Sequence, residues 1–124
     1  MKTLIKLFLI STCIALASCS KEEATPDPIA AIVDKWWCDS NNKLSSQYFK
    51  SDGTWEQGSK TGGADNDKGN WSLSYDKKKI FITNVVGKSQ FLKNWDYELI
   101  SSSATNLEMN FTGFNTKMTM VVCP

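Results

Sequence analysis

The sequence predicts an all-β fold: an antiparallel, up-and-down barrel of about eight strands, entered through one short helical turn. Three observations carry this. From Asp34 onward apolar and polar residues alternate with period two. No helical stripe longer than two turns interrupts the alternation, and turn signals recur at short, near-regular spacing. With 124 residues, 41% hydrophobic and 22% charged, the chain has the length of one small domain.

The elements follow in order. Ile29 to Asp34 suits one helical turn, and Asp34 to Ser40 reads as the first strand. Ser45 to Lys50 and Thr54 to Gly58 form a hairpin about Ser51-Asp52-Gly53, where Asp-Gly supplies the positive φ of a tight turn. Ser59 to Lys68 is polar and Gly-rich, the longest expected loop and the expected place for a lid or partner contact. Its acidic residues lack the ligand spacing and distal Glu of a calcium loop. Asn70 to Tyr75 places Trp71, Leu73 and Tyr75 on one face. After a turn at Asp76 to Lys78, Lys79 to Asn84 turns Ile80 and Ile82 inward. Trp95, Tyr97 and Leu99 share the next inward face, then Leu107, Met109 and Phe111, then Met118, Met120 and Val122.

The N-terminus reads as an address. Lys2 and Lys6 precede about eleven mostly apolar residues, too few for the roughly 20 that a membrane-spanning helix needs. Leu16-Ala17-Ser18-Cys19 resembles the lipobox of bacterial lipoproteins, which implies cleavage before Cys19 and acylation of that residue. Residues 1–18 are then a signal peptide, 19–28 a lipidated Cys and flexible tether with Pro26 and Pro28, and 29–124 the folded domain. Ser20-Lys21-Glu22-Glu23 resembles the surface-export tag of lipoproteins in one phylum of Gram-negative bacteria. The expected location is therefore the bacterial outer membrane, on the cell surface, with a periplasm-facing position as the alternative.

Processing simplifies the cysteines. Cys13 leaves with the signal and Cys19 carries lipid, so Cys38 and Cys123 remain, one at each end of the folded region. Outside the inner membrane they are expected to pair as a disulfide closing about 85 residues. The mature chain keeps 12 Lys against 13 acids. A near-neutral chain with no Arg is a poor fit to nucleic acid. With no His, it also lacks the commonest general base and the commonest metal ligand.

From Val33 to Val122 the chain resembles the small lipocalin-like domains of bacterial lipoproteins. The resemblance rests on Asp34-Lys35-Trp36, on Tyr48-Phe49-Lys50-Ser51-Asp52-Gly53-Thr54, and on Gly69-Asn70-Trp71-Ser72-Leu73. Tyr97-Glu98-Leu99-Ile100 and Asn106-Leu107-Glu108-Met109 add to it. Where such proteins usually carry Gly two residues before the first Trp, this chain has Asp34. The resemblance implies a small apolar ligand held inside the barrel.

The ligand-lining candidates are the inward aromatics and methionines: Trp71, Tyr75, Trp95, Tyr97, Met109, Phe111, Met118 and Met120. The alternative is a solid-cored module that contacts a protein or glycan through its loops and an exposed Trp. Trp36 and Trp37 are adjacent and face opposite ways. With Trp36 in the core, Trp37, with Trp55 nearby, is the candidate surface contact; cover for Trp37 by Ile29 to Val33 is the favoured competing reading. No paired nucleophile and base stands out, so the chain is expected not to be an enzyme and to need no cofactor or metal.

Overall fold

A computed structural model describes residues 27–88 and 92–124. The expected signal peptide, the expected lipidation site Cys19 and most of the expected tether lie outside the described residues. One helix, α1 (Pro28–Ile32), precedes eight strands: β1 (Trp36–Asp39), β2 (Ser46–Phe49), β3 (Thr54–Gly58), β4 (Asp67–Leu73), β5 (Lys79–Val86), β6 (Trp95–Ser102), β7 (Asn106–Phe111) and β8 (Thr116–Val122). Every strand pairs antiparallel with its neighbour in sequence, and β1 pairs with β8, so the sheet closes into the expected barrel.

The hairpins form where the turn chemistry puts them. Gly53 adopts φ 87°, and Asp52 Oδ1 accepts from the Thr54 amide at 2.9 Å and from the Thr54 hydroxyl at 2.6 Å. The Thr54 hydroxyl and amide hold the Asp52 carboxyl below its ordinary range. Asp34 occupies the left-handed region at φ 59°. Its amide donates to Phe49 O at 2.8 Å, and its Oδ1 accepts from the Ser51 amide at 2.9 Å, tying the entry of β1 to the β2–β3 turn.

In an up-and-down barrel successive connections alternate between two ends. Entry through α1 and the β2–β3, β4–β5 and β6–β7 turns lie at one end; the other four connections lie at the opposite end. Asp27 caps α1 by accepting from the Ile29 amide at 3.1 Å, and Pro28 stands where a helix needs no N–H. Ile32 is fully buried in the barrel's core cluster, and Val33 packs against it. The first end is therefore plugged by α1.

Four expected positions are corrected. Trp37 and Trp55, the candidate surface contacts, are 0% and 1% exposed. Cys38 lies beside Trp37 and is bonded to Cys123; β1 alternates so that Trp37 and Asp39 are buried while Trp36 and Cys38 are only partly so. Trp37 Nε1 donates to Ile32 O at 2.8 Å, so the N-terminal segment does cover it. Trp36 instead packs edge-on against Tyr48, with ring centroids 5.2 Å apart. Tyr75, expected inward, is fully exposed, because β4 ends at Leu73 and Tyr75 belongs to the following turn. Val122 is exposed as well.

The expected 59–68 loop is shorter than the sequence suggested, since β4 begins at Asp67. It is also tied down. Asn66 Oδ1 accepts from the Ser59 amide at 2.8 Å, while Asn66 Nδ2 donates to Glu56 Oε1 at 2.8 Å and to Ser59 O at 2.9 Å. Gly58 permits this closure: its φ is 144°, and a Cβ there would collide with the Asn66 side chain.

Candidate ligand pocket at the open end

The end opposite α1 is open. A pocket of about 350 Å³ is lined by Lys43, Leu44 and Ser45 from the β1–β2 connection, Gln47 of β2, Gln57 of β3, Tyr97 of β6, Phe111 of β7, Phe114 of the β7–β8 turn, and Thr116 and Met118 of β8. That volume is in the range of small-molecule sites.

The rim is shaped by Asp39. The Lys43 amide donates to Asp39 Oδ2 at 2.7 Å and the Leu44 amide at 3.0 Å, while the Asn41 amide donates to Oδ1 at 3.3 Å. Burial pushes this carboxyl up, but those three amides and the Lys43 charge outweigh it, and the net effect holds Asp39 below the usual carboxylate range. A buried acid thus folds the connection that presents Lys43, Leu44 and Ser45 to the mouth.

Deeper in lies a polar relay. Trp55 Nε1 donates to Gln47 Oε1 at 3.2 Å, and Gln47 Nε2 donates to the Tyr97 hydroxyl at 3.3 Å. Gln47 and Tyr97 are both buried. Burial pushes the Tyr97 phenol up to about 12, against the pull of the neighbouring Trp95 and Gln47 N–H groups. Trp95 packs edge-on to Trp55 at 5.3 Å and to Tyr97 at 6.4 Å. Its Nε1 is buried with no hydrogen-bond partner among the described residues, although it stands close enough to the Tyr97 oxygen to favour the ionised phenol. Phe111 stacks tilted on Tyr97 at 5.4 Å and meets Phe114 at 5.0 Å, forming the aromatic wall.

Of the eight lining candidates, Tyr97, Phe111 and Met118 reach the pocket, and Trp95 packs against Tyr97 and Phe111. Trp71, Met109 and Met120 belong to the packed core instead. Trp71 lies toward the plugged end, edge-on to Phe49 at 5.4 Å, with its Nε1 donating to Lys50 O at 2.7 Å. Tyr75 is outside the barrel. Sequence reasoning missed Gln47, Gln57, Leu44 and Phe114. Gln47 did carry a signal: it occupies the inward phase of a strand between outward Ser46 and Tyr48, where a polar residue has to find partners.

Among the described residues no group of three or more His, Cys, Asp or Glu side chains is placed to hold a metal ion. Among the described residues, the fold and site together define a closed β-barrel with one plugged end and, at the other, an open pocket with an aromatic wall and a mixed polar and apolar lining. No family model, curated protein or solved structure matches the chain.

Proposed function

We propose that this chain is a lipid-anchored extracytoplasmic binding module that takes a small, mainly apolar ligand through the open end of its barrel. The observation that carries the reading is the pocket of about 350 Å³ walled by Phe111, Phe114 and Met118, opposite an end plugged by α1. The resemblance of the chain to small lipocalin-like lipoproteins supports it.

The anchor adds an orientation. Asp27 sits at the plugged end, ion-paired to Lys77 of the β4–β5 turn at 3.4 Å. Cys19 lies only a few residues upstream, within roughly 30 Å of extended chain. Acylation there holds the plugged end toward the membrane, proposed here as the outer membrane at its surface face, and turns the mouth outward.

Native mass spectrometry of the protein purified from its own host tests the reading. A small molecule is expected to co-purify, and Met118→Trp, which fills the pocket, is expected to abolish it. An apo mass from the folded wild-type protein, together with no uptake of apolar probes, refutes the carrier reading. It leaves the solid-cored interaction module, whose proposed Trp37 and Trp55 contacts are buried.

A further inference from the structure

The polar groups at the bottom of the pocket have a fixed direction. An indole N–H only donates, so the Gln47 atom facing Trp55 Nε1 at 3.2 Å has to be the amide oxygen. That orients the amide and turns Nε2 toward the Tyr97 hydroxyl at 3.3 Å. The Tyr97 oxygen is therefore an acceptor in this relay, and its own proton points elsewhere. No acceptor for that proton exists among the described residues. Tyr97 is only 3% exposed, yet it lines the pocket.

A second donor stands beside it. Trp95 Nε1 is buried and unpaired, on a ring packed against both Tyr97 and Phe111. Buried donors are almost always satisfied, and one left unpaired is costly. The Tyr97 hydroxyl proton, on the pocket lining, and Trp95 Nε1, on a ring packed against that lining, are thus two donors with no hydrogen-bonded acceptor among the described residues. The charge of an acceptor there is constrained too. Among the described residues Lys43, at the rim, is the one charged residue lining the pocket, so an anion at the floor meets no buried counter-charge there.

We infer that the ligand is a mainly apolar molecule carrying a neutral carbonyl-type oxygen, which enters oxygen first and accepts from the Tyr97 hydroxyl with Trp95 Nε1 as second donor. This rests on the binding reading above and narrows it from apolar molecules in general to ketones, esters or amides.

Two probes of one shape test it: 2-acetylnaphthalene and 2-ethylnaphthalene, which differ by a carbonyl against a methylene. Calorimetry on the oxidised protein reads their affinities, and proton–nitrogen NMR reads the indole N–H of Trp95. The ketone is expected to bind at least as tightly as the hydrocarbon despite its stronger hydration. Its binding is expected to move the Trp95 indole proton downfield, while the hydrocarbon does not. Tyr97→Phe keeps the ring and removes the donor, and is expected to shift the ketone-to-hydrocarbon ratio about tenfold toward the hydrocarbon. A hydrocarbon that binds more tightly, with a ratio unchanged in Tyr97→Phe, overturns the acceptor inference and leaves the apolar pocket standing. Failure of both probes to bind the folded protein overturns both readings. If Tyr97→Phe does not fold, the wild-type ranking decides, and a tighter hydrocarbon with an unmoved indole proton overturns the inference.

Discussion

Cys38 of β1 and Cys123, one residue beyond β8, are disulfide-bonded with Cα atoms 5.0 Å apart, across the seam that closes the barrel. That seam is short: its register covers Trp37 with Val122, Cys38 with Val121, and Asp39 with Met120. The bridge spans 85 residues, so it restricts the unfolded chain strongly, and on a loop-entropy account it stabilises by about 4.5 kcal/mol. The double change Cys38→Ser with Cys123→Ser is expected to lose about that much in urea unfolding. An unchanged midpoint means that the seam hydrogen bonds hold the barrel alone.

Asp34 adopts φ 59°, a left-handed conformation that Gly takes most easily. The Asp compensates with its bond to the Ser51 amide. Asp34→Gly trades that bond for backbone ease and is expected to fall within about 1 kcal/mol of wild type. Asp34→Ala loses the bond and keeps the strain, at an expected cost of about 1–3 kcal/mol. Chemical denaturation ranks the three, and an alanine variant as stable as the glycine one removes the argument.

The barrel was legible because alternation and turn residues are local, and both survive into the structure. What was not legible is phase. Straight alternation through β5 carries Ile80 and Ile82 on to Asn84 and Val86. The structure instead places an irregularity between the Lys68–Val86 and Asn70–Thr83 pairs, with Asn84 at φ 55°. This extra residue flips the strand, so Val85 is buried and Val86 exposed. At Ile100 the β6–β7 register shifts in the same way, between Leu99 and Ser101. The phase of β1 hung on a similar choice, and either Trp36 or Trp37 satisfied the pattern. The pocket was harder still, because its lining comes from two connections and five strands spread along the chain, whose meeting depends on closure rather than on local sequence.

Trp37 joins the plug to the barrel wall through its 2.8 Å bond to Ile32 O. Trp37→Phe keeps most of the apolar contact but leaves that carbonyl unpaired in a buried place. The expected loss is about 1–3 kcal/mol. Hydrogen exchange should rise first in α1, at the Ala31 and Val33 amides that bond back to Asp27 and Ile29. Uniform loss of protection across all strands, with α1 unaffected, contradicts a local role for this bond.

Tyr97 makes the pocket floor sensitive to alkali. Its phenol is pushed up from 10.0 to about 12 by burial. Below about pH 10 both folded and unfolded chains keep the proton, so Tyr97 adds no pH dependence. Between about pH 10 and about pH 12 the unfolded chain releases the proton while the folded chain retains it. Unfolding is then favoured, and stability falls by about 1.4 kcal/mol for each pH unit. Above about pH 12 the folded phenol ionises too and the slope from this residue ends. Urea midpoints at about pH 9.5, 10.5 and 11.5 for wild type and Tyr97→Phe isolate the effect, since the other groups titrate in both proteins. The wild type should lose stability more steeply than the variant across this window. Parallel curves mean that the Tyr97 hydroxyl is already well solvated through the open mouth, and the case for an unpaired donor awaiting a ligand oxygen weakens with it.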